Sequence, residues 1–302
     1  MTDISKETDL LLQGAAPERY QEIKAHWGEQ ADRVRLLETE EFLLQHIFGT
    51  VQLTPKTLDA LWLAGFASWK AVEAYAGIIW LLAQKGADFD PSIVAQIPGQ
   101  AAADAAFDRA LGHVHDLLTS ASPADFTWPA DVPTPDQQIT DPQQVAARDL
   151  VFIAGAYVIL HELGHHRIYG SGCTIGYDLR EERLCDAYAR KMLLDGTGQF
   201  AASTGDPEHM VQAKRLLGIL LAKLLIITVT PRERWTFSPD HEPVRRRLFR
   251  VLRYAKEPLP PWFWDTAAAL LAAFARRHGV LTESIRFGSS RELAFALCRK
   301  FE

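Results

Sequence analysis

The sequence predicts a mainly helical protein with at most a small β-sheet. Long apolar stretches follow Thr54-Pro55 and Asp141-Pro142, pairs in which a capping side chain precedes a proline at the first helical position. The first stretch ends at Gly86, and the second is too continuously apolar for a surface helix, which indicates a central buried helix. Strand signals are confined to three short segments: 50–53, 226–230 and 235–237.

Further helices are predicted at about 101–118, at about 178–195, from Asp206-Pro207, from Pro243 and over 262–279. Between them, the prolines of residues 122–142 cannot continue a helix and predict a loop that covers the surface or forms a flap over an access route. We therefore expect a helical N-terminal region with a proline-rich connecting loop over 1–140 and a catalytic region over 141–302. The same pattern is compatible with one continuous domain.

Composition excludes several classes of protein. The chain has 302 residues and a net charge of -6, which gives no general sign of nucleic-acid binding. Three cysteines do not make a disulfide framework. The N-terminal residues MTDISKETDL lack the apolar core of a signal peptide, so a cytoplasmic protein is expected.

Two segments could contact other partners. The apolar segment 216–229 contains Lys223 and is short for a membrane span, so it predicts a buried helix and membrane contact that is at most peripheral. The arginines from Arg245 to Arg253 indicate a solvated helix face or a contact with an acidic partner.

The segment ILHELGHH, in the predicted central helix, carries the main chemical signal. His161 and His165 are four residues apart, so on a helix they share one face and can hold one metal ion. Glu162 lies one residue further round the helix, where it can act on a water molecule as a general base. This is the H-E-x-x-H arrangement of metallopeptidases. Burying these groups without partners would be costly, which a metal ion would relieve.

The next predicted helix offers a third ligand. Glu182 and Asp186 are four residues apart, so Glu182 can complete a set of two histidines and a glutamate while Asp186 orients a ligating histidine. Glu181 is the competing third ligand, but no aspartate follows it four residues later. The set is typical of zinc with an open position for water, although cobalt or manganese also binds such ligands.

The other histidines and the cysteines are weaker candidates for metal ligands. His166 points away from the ligand face and is expected at the surface or at a helix cap, and His113 and His115 fall on different helix faces. Cys173 lies between the two ligand helices and is expected to be an ordinary loop residue, and Cys185 is expected to be packed.

On His161, Glu162, Gly164, His165 and the later Glu182-x-x-x-Asp186, the chain resembles the gluzincins and, more narrowly, the Lit-type phage-exclusion zinc peptidases. The resemblance implies a zincin-like helical core and a cytoplasmic defence enzyme that stays inactive until infection. It also implies elongation factor Tu as the protein substrate and a phage-derived peptide or protein as activator.

A downstream segment, Asp240-His241-Glu242-Pro243 followed by Arg247-Leu248, is similar to the H-P-x-x-x-x-R-[IL] element of several gluzincins, although its proline stands one position later. The resemblance implies that His241 donates to the oxyanion of the tetrahedral intermediate. The alternative is that His241 only neighbours a helix cap.

Two other functions fit the same residues. A regulatory metalloprotease that cleaves a repressor or an antitoxin would carry the same motif. A non-catalytic binding module with structural zinc would need a fourth protein ligand, for which Cys173 or His166 is available.

Overall fold

A computed structural model of the chain describes residues 11–28, 34–37, 44–47, 50–122, 125–170, 179–236, 242–256 and 258–302. The described part is mainly helical, which confirms the predicted fold class. In chain order the helices are α1 Tyr20–Gly28, α2 Pro55–Lys85, α3 Pro91–Val94, α4 Gln100–Thr119, α5 Pro142–Gly170, α6 Leu179–Leu194, α7 Thr197–Thr204, α8 Glu208–Val229, α9 Val244–Arg253, α10 Pro261–Arg277 and α11 Ser290–Cys298.

A small sheet precedes α2. Its strands are β1 Val34–Leu36, β2 Leu44–Ile47 and β3 Thr50–Leu53. The central strand is β3, which pairs in parallel with β1 and antiparallel with β2. The sheet agrees with the predicted strand at 50–53.

The predicted helix starts are confirmed by their capping bonds. The Thr54 side chain accepts a hydrogen bond from the Thr57 backbone N–H (3.3 Å), and α2 ends at Gly86, whose φ of 62° is left-handed. At the start of α5, the Asp141 carboxylate accepts the backbone N–H groups of Gln143 (3.0 Å) and Gln144 (2.9 Å). Local chemistry at these two positions therefore fixes where the two longest helices begin.

Two of the predicted strands are wrong. Residues 226–229 continue α8, because its apolar side chains, including the buried Ile227, pack inside the helical core and outweigh the strand preference of β-branched residues. Trp235 and Thr236 are not in a strand, and Phe237 lies outside the described residues. The sequence also gave no sign of α7 and α11.

The core is centred on α5. Three other helices, α2, α6 and α8, pack against it. Close crossings are possible because Gly65 of α2 lies over Val151 and Gly218 of α8 lies over Ile153; a Cβ at Gly218 would be 2.5 Å from Ile153. Helix α2 also packs on α4 and α10, so the contacts cross the predicted border at residue 140 and both regions share one hydrophobic core.

Within the described residues, one helix is long and apolar enough to cross a membrane: the segment Pro142–Ile168 of α5. Most of that segment is buried by the other helices of the protein. The central helix of a folded core can be as long and as apolar as a membrane span, and α5 is the central helix of this core.

Candidate metal centre

The H-E-x-x-H segment lies near the C-terminal end of α5, directly against α6. The two helices touch at Gly164, where an added Cβ would lie 2.9 Å from the Cα and 3.3 Å from the Sγ of Cys185. Cys185 is fully buried, as predicted. The missing side chain at Gly164 therefore allows the two helices to approach until groups on both can share one site.

Three predicted ligands converge between these helices. Nε2 of His161 lies 3.5 Å from Oε2 of Glu182, and Nε2 of His165 lies 3.3 Å from Oε1 of the same carboxylate. The two imidazole rings stand nearly perpendicular, with their centroids 5.1 Å apart. One ligand atom from each of the three residues lies within 4.8 Å of the others, so the group could hold a metal ion.

The spacing of these atoms fits zinc. With metal–ligand bonds of about 2.0–2.1 Å, a tetrahedral site separates its ligand atoms by about 3.3–3.5 Å. The two nitrogen–oxygen distances, one to each oxygen of the Glu182 carboxylate, are in this range. Within the described residues, no fourth histidine, cysteine or acidic side chain joins the group.

Both histidines turn their other ring nitrogen towards a second carboxylate. Nδ1 of His161 lies 2.9 Å from Oδ1 of Asp186, and Nδ1 of His165 lies 2.6 Å from Oε1 of Glu181. At His165 the Glu181 carboxylate can accept the Nδ1 proton and leave the Nε2 lone pair for a cation, whereas Nδ1 of His161 is close to Asp186 without the geometry of a hydrogen bond. Glu181 and Glu182 therefore face opposite sides of His165: Glu182 is at the ligand position and Glu181 is behind the ring.

Asp186 is the centre of a buried network. Its Oδ1 accepts hydrogen bonds from the Tyr157 hydroxyl (2.9 Å) and the Lys223 ammonium (2.6 Å), and Nη2 of Arg247 lies 3.5 Å away. Burial alone would raise the pKa of Asp186, but the opposite charges of Lys223 and Arg247 hold it well below its usual value. The carboxylate behind His161 is thus ionised and fixed from several directions.

The carboxylates around the two histidines change the pKa values of the imidazoles. Burial lowers the pKa of His165, but its contacts with Cys185 and Glu182 raise it to about 12. Burial also lowers the pKa of His161, but Asp186 and Glu182 outweigh that effect, so the pKa is raised above its ordinary value. Lys223 lies beside Asp186, and Arg247 lies near both Asp186 and Glu182. Because the raised pKa values favour protonated imidazoles when no metal is bound, a divalent cation that displaces those two protons would leave the net charge of the cluster unchanged.

The other predicted site residues are placed as follows. Glu162 is half-buried beside His161. The prediction that His166 is at the surface is wrong: it is buried, because α5 is enclosed on that side too, but it is not part of the metal-ligand group. His241 and Cys173 lie outside the described residues, so their roles stay predictions.

Sequence reasoning missed the basic residues of the network. Arg247 was assigned to an exposed or partner-binding basic face, but it is buried and its Nη2 lies 3.7 Å from Oε2 of Glu182. Lys223 carried a usable signal, because a single lysine within an apolar segment is expected to need a buried acidic partner. Tyr157, one turn before His161, gave no such signal.

A helical fold with H-E-x-x-H on its central helix and a glutamate from the next helix defines a protein of the peptidase class. A family model described as Peptidase U49 matches residues 51–260, which is more than half of the chain. The chain belongs to the Peptidase U49 family. Comparison with curated proteins and with solved structures gave no match.

Proposed function

We propose that this peptidase is a zinc-dependent endopeptidase that hydrolyses a peptide bond in an intracellular protein. The observation that carries the proposal is the convergence of both Nε2 atoms, from His161 and His165, on the Glu182 carboxylate at distances suited to zinc. Two histidines and one glutamate with an open position for water are the ligand set of catalytic zinc in this class of enzyme.

When bound, zinc supplies Lewis acidity that acidifies water and polarises the scissile carbonyl. Glu162 takes a proton from the attacking water as the water oxygen bonds to the carbonyl carbon. It then delivers that proton to the amine nitrogen as the carbon–nitrogen bond breaks. His241, outside the described residues, is proposed to donate a hydrogen bond to the developing oxyanion.

Other residues of the chain keep this constellation in place. Glu181 accepts the Nδ1 proton of His165, and Asp186 lies 2.9 Å from Nδ1 of His161, so both rings turn their Nε2 atoms towards Glu182. Arg247 and Lys223 neutralise Asp186, so that its negative charge does not compete for the cation.

The biological setting is also part of the proposal. Its support is the likeness of the motif segment to phage-exclusion peptidases. We propose a cytoplasmic anti-phage protease that acts on a translation factor, with elongation factor Tu as the first candidate substrate and a phage-derived peptide or protein as activator. A regulatory protease that cleaves a repressor or an antitoxin is the second candidate, and only the identity of the cleaved protein separates the two.

A non-catalytic module with structural zinc is the candidate from another functional class. It needs a fourth protein ligand, and His166 does not belong to the described ligand group. Only Cys173, outside the described residues, remains for that role among the candidates named from the sequence. The family match to a peptidase favours catalysis.

The test compares phage-infected cells that express the wild-type chain with infected cells that express Glu162→Gln, and maps new protein termini in both by mass spectrometry. We expect new termini only with the wild type, while the purified variant retains its metal, because Glu162 is not a ligand. Arg109→Gln, a change at an exposed arginine on α4, serves as the matched control and should cleave like the wild type. Unchanged cleavage by Glu162→Gln would contradict the proposal.

A further inference from the structure

A groove beside the metal centre is lined almost entirely by arginines. Its volume is about 590 Å³, and we call it the arginine groove. Its lining residues are Arg183, Glu242, Arg245, Arg246, Phe249, Arg250, Arg253 and Arg299. Six positive side chains thus line one concavity in a chain whose net charge is -6.

Most of this surface is one face of α9. Positions 245, 249 and 253 repeat every four residues, and 246 and 250 lie beside them, so they form one stripe along the helix. The opposite face carries Leu248 and Leu252, which are fully buried and hold α9 on the core. Since the apolar face fixes the helix, the arginine stripe is presented to the groove by the fold.

Acidic partners within the protein neutralise only part of this charge. Buried Glu242 is bound by Arg183 (3.0 Å) and by Arg250 (2.7 Å), and Glu302 pairs with Arg245. The exposed side chains Arg246, Arg253 and Arg299 have no ion pair with any residue that the structure describes. The groove therefore keeps positive charge that a ligand can use.

The groove adjoins the metal centre through two of its residues. Arg183 directly follows the proposed ligand Glu182 on α6. Arg250, on α9, has its Nη1 3.9 Å from Oδ2 of Asp186, the carboxylate behind His161. A chain segment lying in the groove would therefore run next to the site where a peptide bond is cut.

We propose that the arginine groove binds an acidic segment of the protein substrate, and this inference rests on the proposed endopeptidase function. Guanidinium groups bind carboxylates through paired hydrogen bonds, and Phe249 offers an apolar surface for the aliphatic part of a side chain. Nucleic acid fits less well, because the net charge of the whole chain is -6, which opposes binding of an extended phosphate backbone.

Binding can be measured without turnover in the Glu162→Gln background. The probes are a fluorescent glutamate-rich peptide, the same peptide with glutamine in place of glutamate, and a single-stranded RNA of similar length. We expect the glutamate peptide to bind about tenfold more tightly than the glutamine peptide, with an affinity that falls as salt rises.

The groove variant is Arg246→Gln with Arg253→Gln. It should lose most of the preference for the glutamate peptide, about fivefold to tenfold, because two exposed cations are removed. The matched control, Arg109→Gln with Arg286→Gln, removes the same charge from exposed positions outside the groove and should keep the preference. If the groove variant does not fold, Arg299→Gln, directly after α11, makes the same test from a different part of the chain.

A groove variant that keeps the full preference would overturn the inference, and so would tighter binding of the RNA than of the glutamate peptide. A second experiment digests a proteome-derived peptide library with the active protein and reads the cleaved sequences. Acidic residues near the cleaved bond support the inference, and cleavage without them overturns it while the endopeptidase function stands. Retained acidic binding without any cleavage, even with lysate of phage-infected cells added, would instead refute the endopeptidase function and leave the groove as a binding site.

Discussion

Among the described residues, the candidate metal centre and a distal cluster of charged side chains both join helices, and they differ in burial and in how their side chains converge. The distal cluster links α2, α4 and α10: Asp104 accepts a hydrogen bond from Tyr75 (2.8 Å), and Arg276 contacts both Asp104 (3.3 Å) and Asp108 (2.5 Å). Arg277 also lies 3.9 Å from Asp108, so two carboxylates meet two guanidinium groups. Several of these side chains are partly exposed.

The candidate metal centre also contains carboxylates and cations, but its network is more deeply buried. Asp186, Lys223 and Arg247 are almost wholly buried, and the Nε2 atoms of both histidines lie close to the Glu182 carboxylate. The comparison teaches that ion pairs alone do not mark a functional site; the convergence of two buried imidazoles on one carboxylate does.

The largest contrast is expected between Glu182→Gln and Asp108→Asn. The first removes a proposed ligand, so we expect zinc affinity to fall by more than about 100-fold, beyond the loss typical of an outer partner. The second removes one carboxylate of the distal cluster and should leave zinc affinity unchanged. Competition with a chromogenic chelator measures both. Equal zinc affinity in the two variants would remove the distinction between the clusters.

Glycine substitutions test whether the site depends on the close approach of its helices. Gly164→Ala places a Cβ 2.9 Å from the Cys185 backbone, so we expect a loss of about 1–3 kcal/mol in the free energy of unfolding and weaker zinc binding. Gly112→Ala, on α4 near the distal cluster, meets open space and should stabilise by about 0.5–1 kcal/mol. Chemical denaturation measures both. A neutral Gly164→Ala would show that α5 and α6 can separate without harm.

Glu181→Gln tests the carboxylate behind His165. The variant keeps every proposed ligand but loses the negative charge at Nδ1, so zinc affinity should fall by about 10–100-fold. That loss is smaller than the one expected for Glu182→Gln. If the two variants reversed their order, Glu181 would be the ligand and Glu182 its support.

The smallest effects are expected from two matched tyrosine substitutions. Tyr157→Phe removes a hydrogen-bond donor from buried Asp186 and should lower the free energy of unfolding by about 1–2 kcal/mol. Tyr75→Phe, beside the less buried Asp104, should lower it by about 0.5–1 kcal/mol.

Burial and Asp104 raise the pKa of Tyr75 above its ordinary value of 10.0. Stability contributed by this group is present below pH 10 and lost at higher pH, because only the unfolded state then releases the proton. Tyr75→Phe should therefore flatten the alkaline decline measured by denaturation, and an unchanged decline would contradict this.

Much of the site was predictable because its signals are local. The capping groups at Thr54 and Asp141 fix the starts of two helices, and the four-residue spacing from His161 to His165 places both rings on one face. The same spacing from Glu182 to Asp186 puts one carboxylate at the ligand position and the next behind His161. Each inference needs only the geometry of a single helix.

The parts that were missed depend on contacts between distant segments. The choice of Glu182 over Glu181 was made correctly from Asp186 four residues later, although the side that each carboxylate faces is set by how α6 rotates against α5. Arg247 looked like its exposed neighbours because burial on α9 is decided by the partner Asp186, 61 residues earlier. The segment 226–229 was misread for the same reason, since packing overrides local strand preference.

The central claim is that His161, His165 and Glu182 bind one zinc ion and leave a position for water. X-ray absorption on the purified chain, saturated with zinc and then dialysed, tests it most directly. The account predicts one equivalent of zinc with only nitrogen and oxygen neighbours at about 2.0–2.1 Å, and no zinc in His161→Ala. A sulfur neighbour at about 2.3 Å, or no retained zinc in the wild type, would contradict it.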